Sequence, residues 1–151
     1  MIYVASSWKN TLQPHVVARL RESGYNVYDF RHPIVGNDGF SWAQIYSVAE
    51  LRNVPLPELW DASIIRDMLK HPIAETGFAL DFAAMACASA CVLVQPSGRS
   101  AHLEFGWIVG RGKPGFVLMD DVPDLMVKVA TGLAVNLEEL MQMVSRHVPV
   151  D

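Results

Sequence analysis

Short apolar runs alternate with amphipathic segments along the whole chain. Runs of strand length fall at residues 1–5, 26–30, 91–95 and 115–119, with a shorter apolar stretch at 133–135. Apolar residues spaced three and four apart predict helices at 14–23, 42–51, 57–70, 73–88, 100–111, 122–129 and 136–146. This alternation predicts an α/β domain spanning residues 1–151, with a parallel sheet of four or five strands and helices on both faces.

The connections at the carboxyl ends of the strands are where such a sheet binds ligands. Four of them are expected to surround one crevice: residues 6–10, 31–42, 96–100 and the turn after Met119. The 31–42 connection is long and rich in Pro, Gly, Asn and Asp, and loops of that length in compact domains are often functional.

Charge and hydropathy exclude several classes of partner. The net charge is −4 and no basic run of five residues occurs, so a nucleic acid polymer is not an expected partner. The longest apolar stretch, residues 78–94, is interrupted by Asp81 and is too short to span a bilayer, so no membrane association is expected. The amino terminus lacks the basic region of a signal peptide, which favours a cytoplasmic location.

The two cysteines, Cys87 and Cys91, lie in the most apolar part of the chain and are expected to be buried free thiols. A metal site would need two further ligands, and the five histidines are scattered singly. No metal is therefore expected.

The segment 96–106 carries the most informative chemistry. A strand ends, a small polar turn containing Ser97, Gly98 and Ser100 follows, and a helix begins. Unpaired N–H groups at a helix start attract anions, so the turn is a candidate for a phosphate or a sugar hydroxyl. The alternative is an ordinary strand-to-helix turn with Ser100 as N-cap.

Two carboxylates stand out in apolar surroundings. Glu104 lies about one turn into the helix after the polar turn, and Asp81 interrupts the apolar helix before the third strand. Two such acids suit glycosidic chemistry, one as nucleophile at the anomeric carbon and the other as general acid. The alternative is that both are structural. His102 is a candidate base, although a supporting or surface position is the expectation.

Several short motifs occur in an order that resembles the nucleoside 2-deoxyribosyltransferase superfamily. Glu104-Phe105-Gly106 followed by Gly112-Lys113-Pro114 is similar to the E-x-G…G-K-P signature of that superfamily, and residues 2–6 are similar to its I-Y-L-A-G start. Asp81 falls where the family keeps an active-site aspartate. The resemblance implies a flavodoxin-like or Rossmann-like three-layer sandwich and a covalent glycosyl–enzyme route.

The same resemblance implies roles for individual residues. Glu104 would be the nucleophile at C1′, and Asp81 would protonate or orient the departing base. The sugar or a 5′-phosphate would be held by Ser6, Ser97, Gly98 and Ser100, and the base would stack on Tyr3, Trp8 and Trp42. The expected partner is a small nucleoside or nucleotide, no cofactor is needed, and a homodimer or higher homo-oligomer is expected.

The sequence also departs from the family. The turn is Ser97-Gly98-Arg99-Ser100 where the transferases carry Asp-x-Gly-Thr, and Ser89 stands in the region where an acid often precedes the third strand. The segment from Arg31 to His71 is longer than expected. Nucleotide hydrolysis and base transfer therefore stay open together. Two further alternatives are NAD cleavage, as in related Toll/interleukin-1 receptor (TIR) domains, and a non-catalytic nucleotide-binding module.

Overall fold

A computed structural model describes residues 1–46, 61–120, 122 and 124–150. Its strands are β1 (Ile2–Ala5), β2 (Val27–Asp29), β3 (Ala90–Val94), β4 (Gly115–Leu118) and β5 (Gly132–Ala134). Its helices are α1 (Gln13–Glu22), α2 (Trp42–Tyr46), α3 (Ala62–Met68), α4 (Pro72–Cys87), α5 (Arg99–Gly110), a 3₁₀ helix (Leu125–Val129) and α6 (Leu137–His147).

The chain forms two compact units. The first, Met1–Asp29 with Ala84–Asp151, contains the whole sheet and is called the sheet unit below. The second, Phe30–Ala83, contains α2, α3 and most of α4, and is called the helical unit.

The sheet has five parallel strands in the order β2-β1-β3-β4-β5, which confirms the predicted parallel sheet. This is the flavodoxin order, in which the direction of winding reverses between β1 and β3. The strands are buried along nearly their whole length, so their sequences are almost continuously apolar. Ligands of such folds bind at the carboxyl ends of the two strands where winding reverses.

Helices cover both faces of the sheet, which confirms the three-layer α/β architecture. On one face, α1 and α6 bury Leu20 and Leu140 against alternate strand residues such as Val4 and Val92. On the other face, α5 packs on β3 and β1, with Phe105 among its buried residues. Side chains alternate across a strand, so this second face receives the odd-numbered residues of β1 and β3.

Local sequence signals account for several helix ends. The Asn136 side chain accepts a hydrogen bond from the Glu139 amide at 2.9 Å and begins α6, as the capping pattern predicts. The Glu139 carboxylate reaches back to the Val135 amide at 3.0 Å. The alternative in which Ser100 is the N-cap is wrong, because the N-cap of α5 is Gly98, two residues earlier.

Other expectations need correction. The helix predicted at 122–129 is a 3₁₀ helix that begins after Asp124, whose side chain caps the Met126 amide. The predicted pair of buried thiols is half wrong: Cys91 lies inside the sheet, whereas Cys87 is exposed at the end of α4. Of the helices predicted at 42–51 and 57–70, the residues between 46 and 61 lie outside the described part of the chain.

The helical unit has a small core of its own. Ile45, Met68 and Ala74 are buried there, and partly buried residues including Phe40 and Trp42 pack against them. The Asp61 side chain accepts from the amides of the first turn of α3 and fixes the start of that helix. Across both units, the described residues include no helix with the length and apolar character needed to cross a membrane.

Candidate functional site

The connection after β1 is fastened to the end of β3. The Asn10 amide donates to the carbonyl oxygens of Val94 and Pro96 at 3.2 and 3.1 Å. Its side-chain oxygen accepts from the Leu12 and Gln13 amides, which satisfies two backbone donors at the start of α1. This buried side chain therefore sets the position of both loops where the sheet reverses its winding.

Ser6 lies in the same place and also contacts β3. Its hydroxyl donates to the Val94 carbonyl at 2.8 Å, and the residue is half-buried. The hydroxyl oxygen keeps its capacity to accept from a ligand. The predicted contact between Ser6 and a sugar or phosphate stays a prediction.

The turn between β3 and α5 is open. Gly98, the N-cap of α5, contributes no side-chain cap, and a Cβ built at this position would meet no heavy atom within 4 Å among the described residues. Ser97 is half-buried, whereas Arg99 and Ser100 are exposed. The start of a helix carries unpaired N–H donors and a partial positive charge, so this turn has the local chemistry to receive an anion.

Glu104 lies on the side of α5 that faces the sheet. The buried residues of this helix are Ala101, Phe105 and Ile108, and Glu104 is three positions from the first and four from the last. Positions at that spacing share one face of a helix. Glu104 is half-buried, so a carboxylate interrupts an otherwise apolar stripe.

The charge of Glu104 acts on the buried thiol of β3. Burial raises the pKa of Cys91 well above its usual range, and the negative charge of Glu104 raises it further. The helix that carries Glu104 packs on β3. The carboxylate is therefore part of the electrostatic surroundings of this strand.

His102 has a more defined position than the sequence indicated. Its Nε2 atom lies 3.0 Å from a carboxylate oxygen of Asp124, and its Nδ1 atom lies 2.9 Å from the Gly98 carbonyl oxygen. The Ser97 hydroxyl lies 3.5 Å from Nδ1. His102 therefore connects the turn before α5 to the beginning of the 3₁₀ helix.

The predicted aromatic contacts fall in different surroundings. Tyr3 is fully buried, and its ring is stacked on that of Tyr28 with 5.2 Å between centroids. Trp8 is exposed in the connection after β1. Trp42 belongs to the helical unit, where its ring meets the edge of Phe40. Stacking of these residues on a base stays a prediction, and in this structure one face of Tyr3 is already occupied.

Asp81 lines a cavity of about 270 Å³ within the helical unit. The residue is half-buried on α4. The same cavity is lined by polar side chains and by an aromatic ring, namely Asn37, Phe40, Gln44 and Thr76. The Asn37 and Gln44 side chains are engaged in part by the backbone of Gly39. The cavity thus combines a carboxylate, amides and an apolar wall.

Sequence reasoning missed the polar residues that hold the edge of the sheet together. Gln13 donates to the Asp29 carboxylate at 2.8 Å, and both side chains are buried at the ends of α1 and β2. An asparagine just ahead of a helix is a familiar cap signal, and it could have identified Asn10. No local signal pairs His102 with Asp124. The described residues contain no cluster of three or more His, Cys, Asp or Glu suited to a metal ion.

Comparison with known proteins does not extend this picture. The sequence matches no protein-family model, and no similar sequence is found among curated proteins.

Proposed function

We propose that this protein cleaves or exchanges the N-glycosidic bond of a nucleoside or a nucleoside 5′-monophosphate, with Glu104 as the nucleophile. The observation that supports this most is the place of Glu104. It is a half-buried carboxylate on the sheet-facing stripe of α5, near enough to β3 for its charge to act on Cys91. Carboxylates beside apolar clefts are frequent at functional sites.

The proposed reaction has two steps. A Glu104 carboxylate oxygen forms a bond to C1′ while the C1′–N bond breaks, and the electron pair of that bond leaves with the base. Asp81, in the role that the family resemblance gives it, donates a proton to the departing base. Water or a second base then attacks C1′ and gives a proton to the Asp81 carboxylate, and the bond to Glu104 breaks to restore the Glu104 carboxylate.

The open turn at Ser97 and Gly98 is the proposed receiver of the rest of the ligand. Its N–H donors and the nearby Ser6 hydroxyl suit a 5′-phosphate or a sugar hydroxyl. Trp8, exposed on the connection after β1, would contact the base. Arg99 is exposed beside the turn and adds a positive charge in reach of an anion.

The test is a substrate panel with chromatographic detection of base. Purified protein is incubated with nucleosides, their 5′-monophosphates and NAD, with and without a free acceptor base, beside the Glu104→Ala variant. Base release from monophosphates alone, lost in the variant, would identify a nucleotide hydrolase. Product formation only with an added base would identify a transferase.

The remaining outcomes count against the proposal. Release of nicotinamide from NAD alone would favour a TIR-like enzyme that uses the same glutamate for another substrate. No product from any compound, together with ligand binding that is equal in wild type and Glu104→Ala, would make the protein a binding module. Product formation that survives in Glu104→Ala would remove Glu104 from the mechanism.

A further inference from the structure

Histidine contacts with the carbonyl four residues earlier in a helix recur in this chain. The Nδ1 atoms of His15 and His147 lie 3.2 and 2.8 Å from such carbonyl oxygens, and His102 makes the same contact with Gly98 at 2.9 Å. His102 differs in its other nitrogen. Nε2 lies 3.0 Å from Asp124, which is 22 positions further along the chain. The residue is therefore held at both ends of its ring.

Asp124 is itself fixed by the backbone. One carboxylate oxygen accepts from the Met126 amide at 3.2 Å and caps the 3₁₀ helix, while the other meets His102. A hydrogen-bonded path thus runs from the start of the 3₁₀ helix, through Asp124 and the imidazole ring, to the Gly98 carbonyl. Gly98 is the N-cap of α5, so the path ends at the open turn.

This path is poorly suited to a purely stabilising role. The side chains of His102 and Asp124 keep 38% and 30% of their exposure, and pairs with such access to water contribute little to stability. The pair instead fixes the position of the Gly98 carbonyl relative to the 3₁₀ helix that Asp124 caps. Gly98 lacks a Cβ, and one built there would meet no described atom within 4 Å, so side-chain packing at Gly98 does not hold the turn.

We infer that His102 and Asp124 are positioning residues. They hold the Ser97–Gly98 turn in the conformation that receives the 5′-phosphate or a sugar hydroxyl of the ligand. The inference rests on the proposed function for the identity of that ligand. Neither residue takes part in bond breaking at C1′. Loss of the pair therefore weakens ligand binding at the turn and leaves the chemical step at Glu104 in place.

The experiment compares His102→Ala with His147→Ala, a matched control on α6. Both substitutions remove a helical histidine that contacts the carbonyl four residues earlier, but His147 ends α6, where the C-cap Val148 accepts a hydrogen bond from Tyr25 just before β2. With a nucleoside 5′-monophosphate as substrate, His102→Ala is expected to raise KM about tenfold and to change kcat by less than about threefold. His147→Ala is expected to leave both constants unchanged.

Substitution of Asp124 separates geometry from charge. In Asp124→Asn the amide oxygen still caps Met126, and the amide N–H can donate to Nε2 while Nδ1–H donates to Gly98. This variant is expected to keep a KM near that of wild type. Asp124→Ala breaks the path and is expected to raise KM as much as His102→Ala does. It replaces His102→Ala in the comparison if that variant fails to fold.

Amide hydrogen exchange tests the inference without turnover. In His102→Ala the amide of residue 102, which donates to the Gly98 carbonyl, and the next two amides of α5 are expected to exchange about tenfold faster than in wild type, while those of α6 are unchanged. Unchanged exchange at these amides of α5, or a fall in kcat with KM unaltered, would overturn the inference. If wild type releases no base, the proposed function fails, and the exchange data still decide whether His102 holds the turn.

Discussion

The side-chain amide of Asn10 donates a hydrogen bond of 3.2 Å to the carbonyl oxygen of Val94, so the connection after β1 is joined to the last residue of β3. These strands are adjacent in the sheet, and the sheet reverses its winding between them. The Asn10 side chain, together with the Ser6 hydroxyl, thus joins the two loops that border the proposed site.

Replacing Asn10 with alanine is expected to lower the free energy of unfolding by about 2–4 kcal/mol. The variant leaves the Val94 and Pro96 carbonyls without this donor and removes an acceptor from two amides of α1. Urea unfolding measures the change. Thr11→Ala, an exposed neighbour, is the control and is expected to stay within about 0.5 kcal/mol of wild type. Equal midpoints for the two variants would contradict the role given to Asn10.

Alanine substitutions at two glycines, one on β4 beneath α5 and one at the end of α5, are expected to change stability in opposite directions. A Cβ at Gly115 on β4 would lie 2.8 Å from the Phe105 ring and would also collide with Val109, so Gly115→Ala is expected to destabilise by about 1–3 kcal/mol. A Cβ at Gly110 meets no heavy atom within 4 Å among the described residues. Gly110→Ala is expected to gain up to about 1 kcal/mol from helix propensity. Thermal unfolding of both variants checks the pair, and a Gly115→Ala protein as stable as wild type would mean that α5 does not pack on β4 this closely.

The raised pKa of the Cys91 thiol is expected to make the free energy of unfolding depend on pH. Its pKa is raised in the folded protein by burial and then by Glu104, so the thiol stays protonated there while it ionises in the unfolded chain above about its usual value of 9.0. Stability from this residue is fully present below that pH. It is lost as pH rises, by about 1.4 kcal/mol per pH unit, until the folded pKa is reached.

Urea unfolding at about pH 8 and about pH 10 measures this loss, with the pH values chosen to bracket the usual thiol pKa. Cys91→Ala is expected to lose less stability between the two pH values than wild type does. Cys87→Ala, which removes the exposed thiol, is expected to behave as wild type. An identical pH dependence in Cys91→Ala and wild type would show that the buried thiol does not contribute.

Much of the sheet unit follows from local patterns. The near-continuous apolar runs at β3 and β4 predict doubly covered strands, and Asn136 with Glu139 predicts the start of α6. The helical period around Glu104 predicts an acid beside apolar neighbours, although which side it faces depends on how α5 packs. The exposure of Cys87 does not follow from the sequence, because an apolar helix such as α4 gives no periodic signal for its exposed side.

The polar contacts of the site could not be predicted in the same way. The bonds from Asn10 to the end of β3 join residues more than 80 positions apart, and the contact of His102 with Asp124 spans 22. Such pairs exist only once the strands and helices have packed, and nothing in the neighbouring residues specifies them. The N-cap of α5 is a similar case. The local sequence permits Ser100 as the N-cap, whereas in the packed structure the N-cap is Gly98.

The most direct test of the proposed function compares Glu104→Gln with Glu138→Gln in their release of base from the best substrate of the panel. Both replace a carboxylate by an amide of the same size on a helix of the sheet unit, and Glu138 is exposed on α6. Glu104→Gln is expected to lower kcat by about a thousandfold or more, because an amide cannot form the glycosyl–enzyme bond, while Glu138→Gln keeps wild-type kinetics. Equal kcat values in Glu104→Gln and wild type would contradict the account.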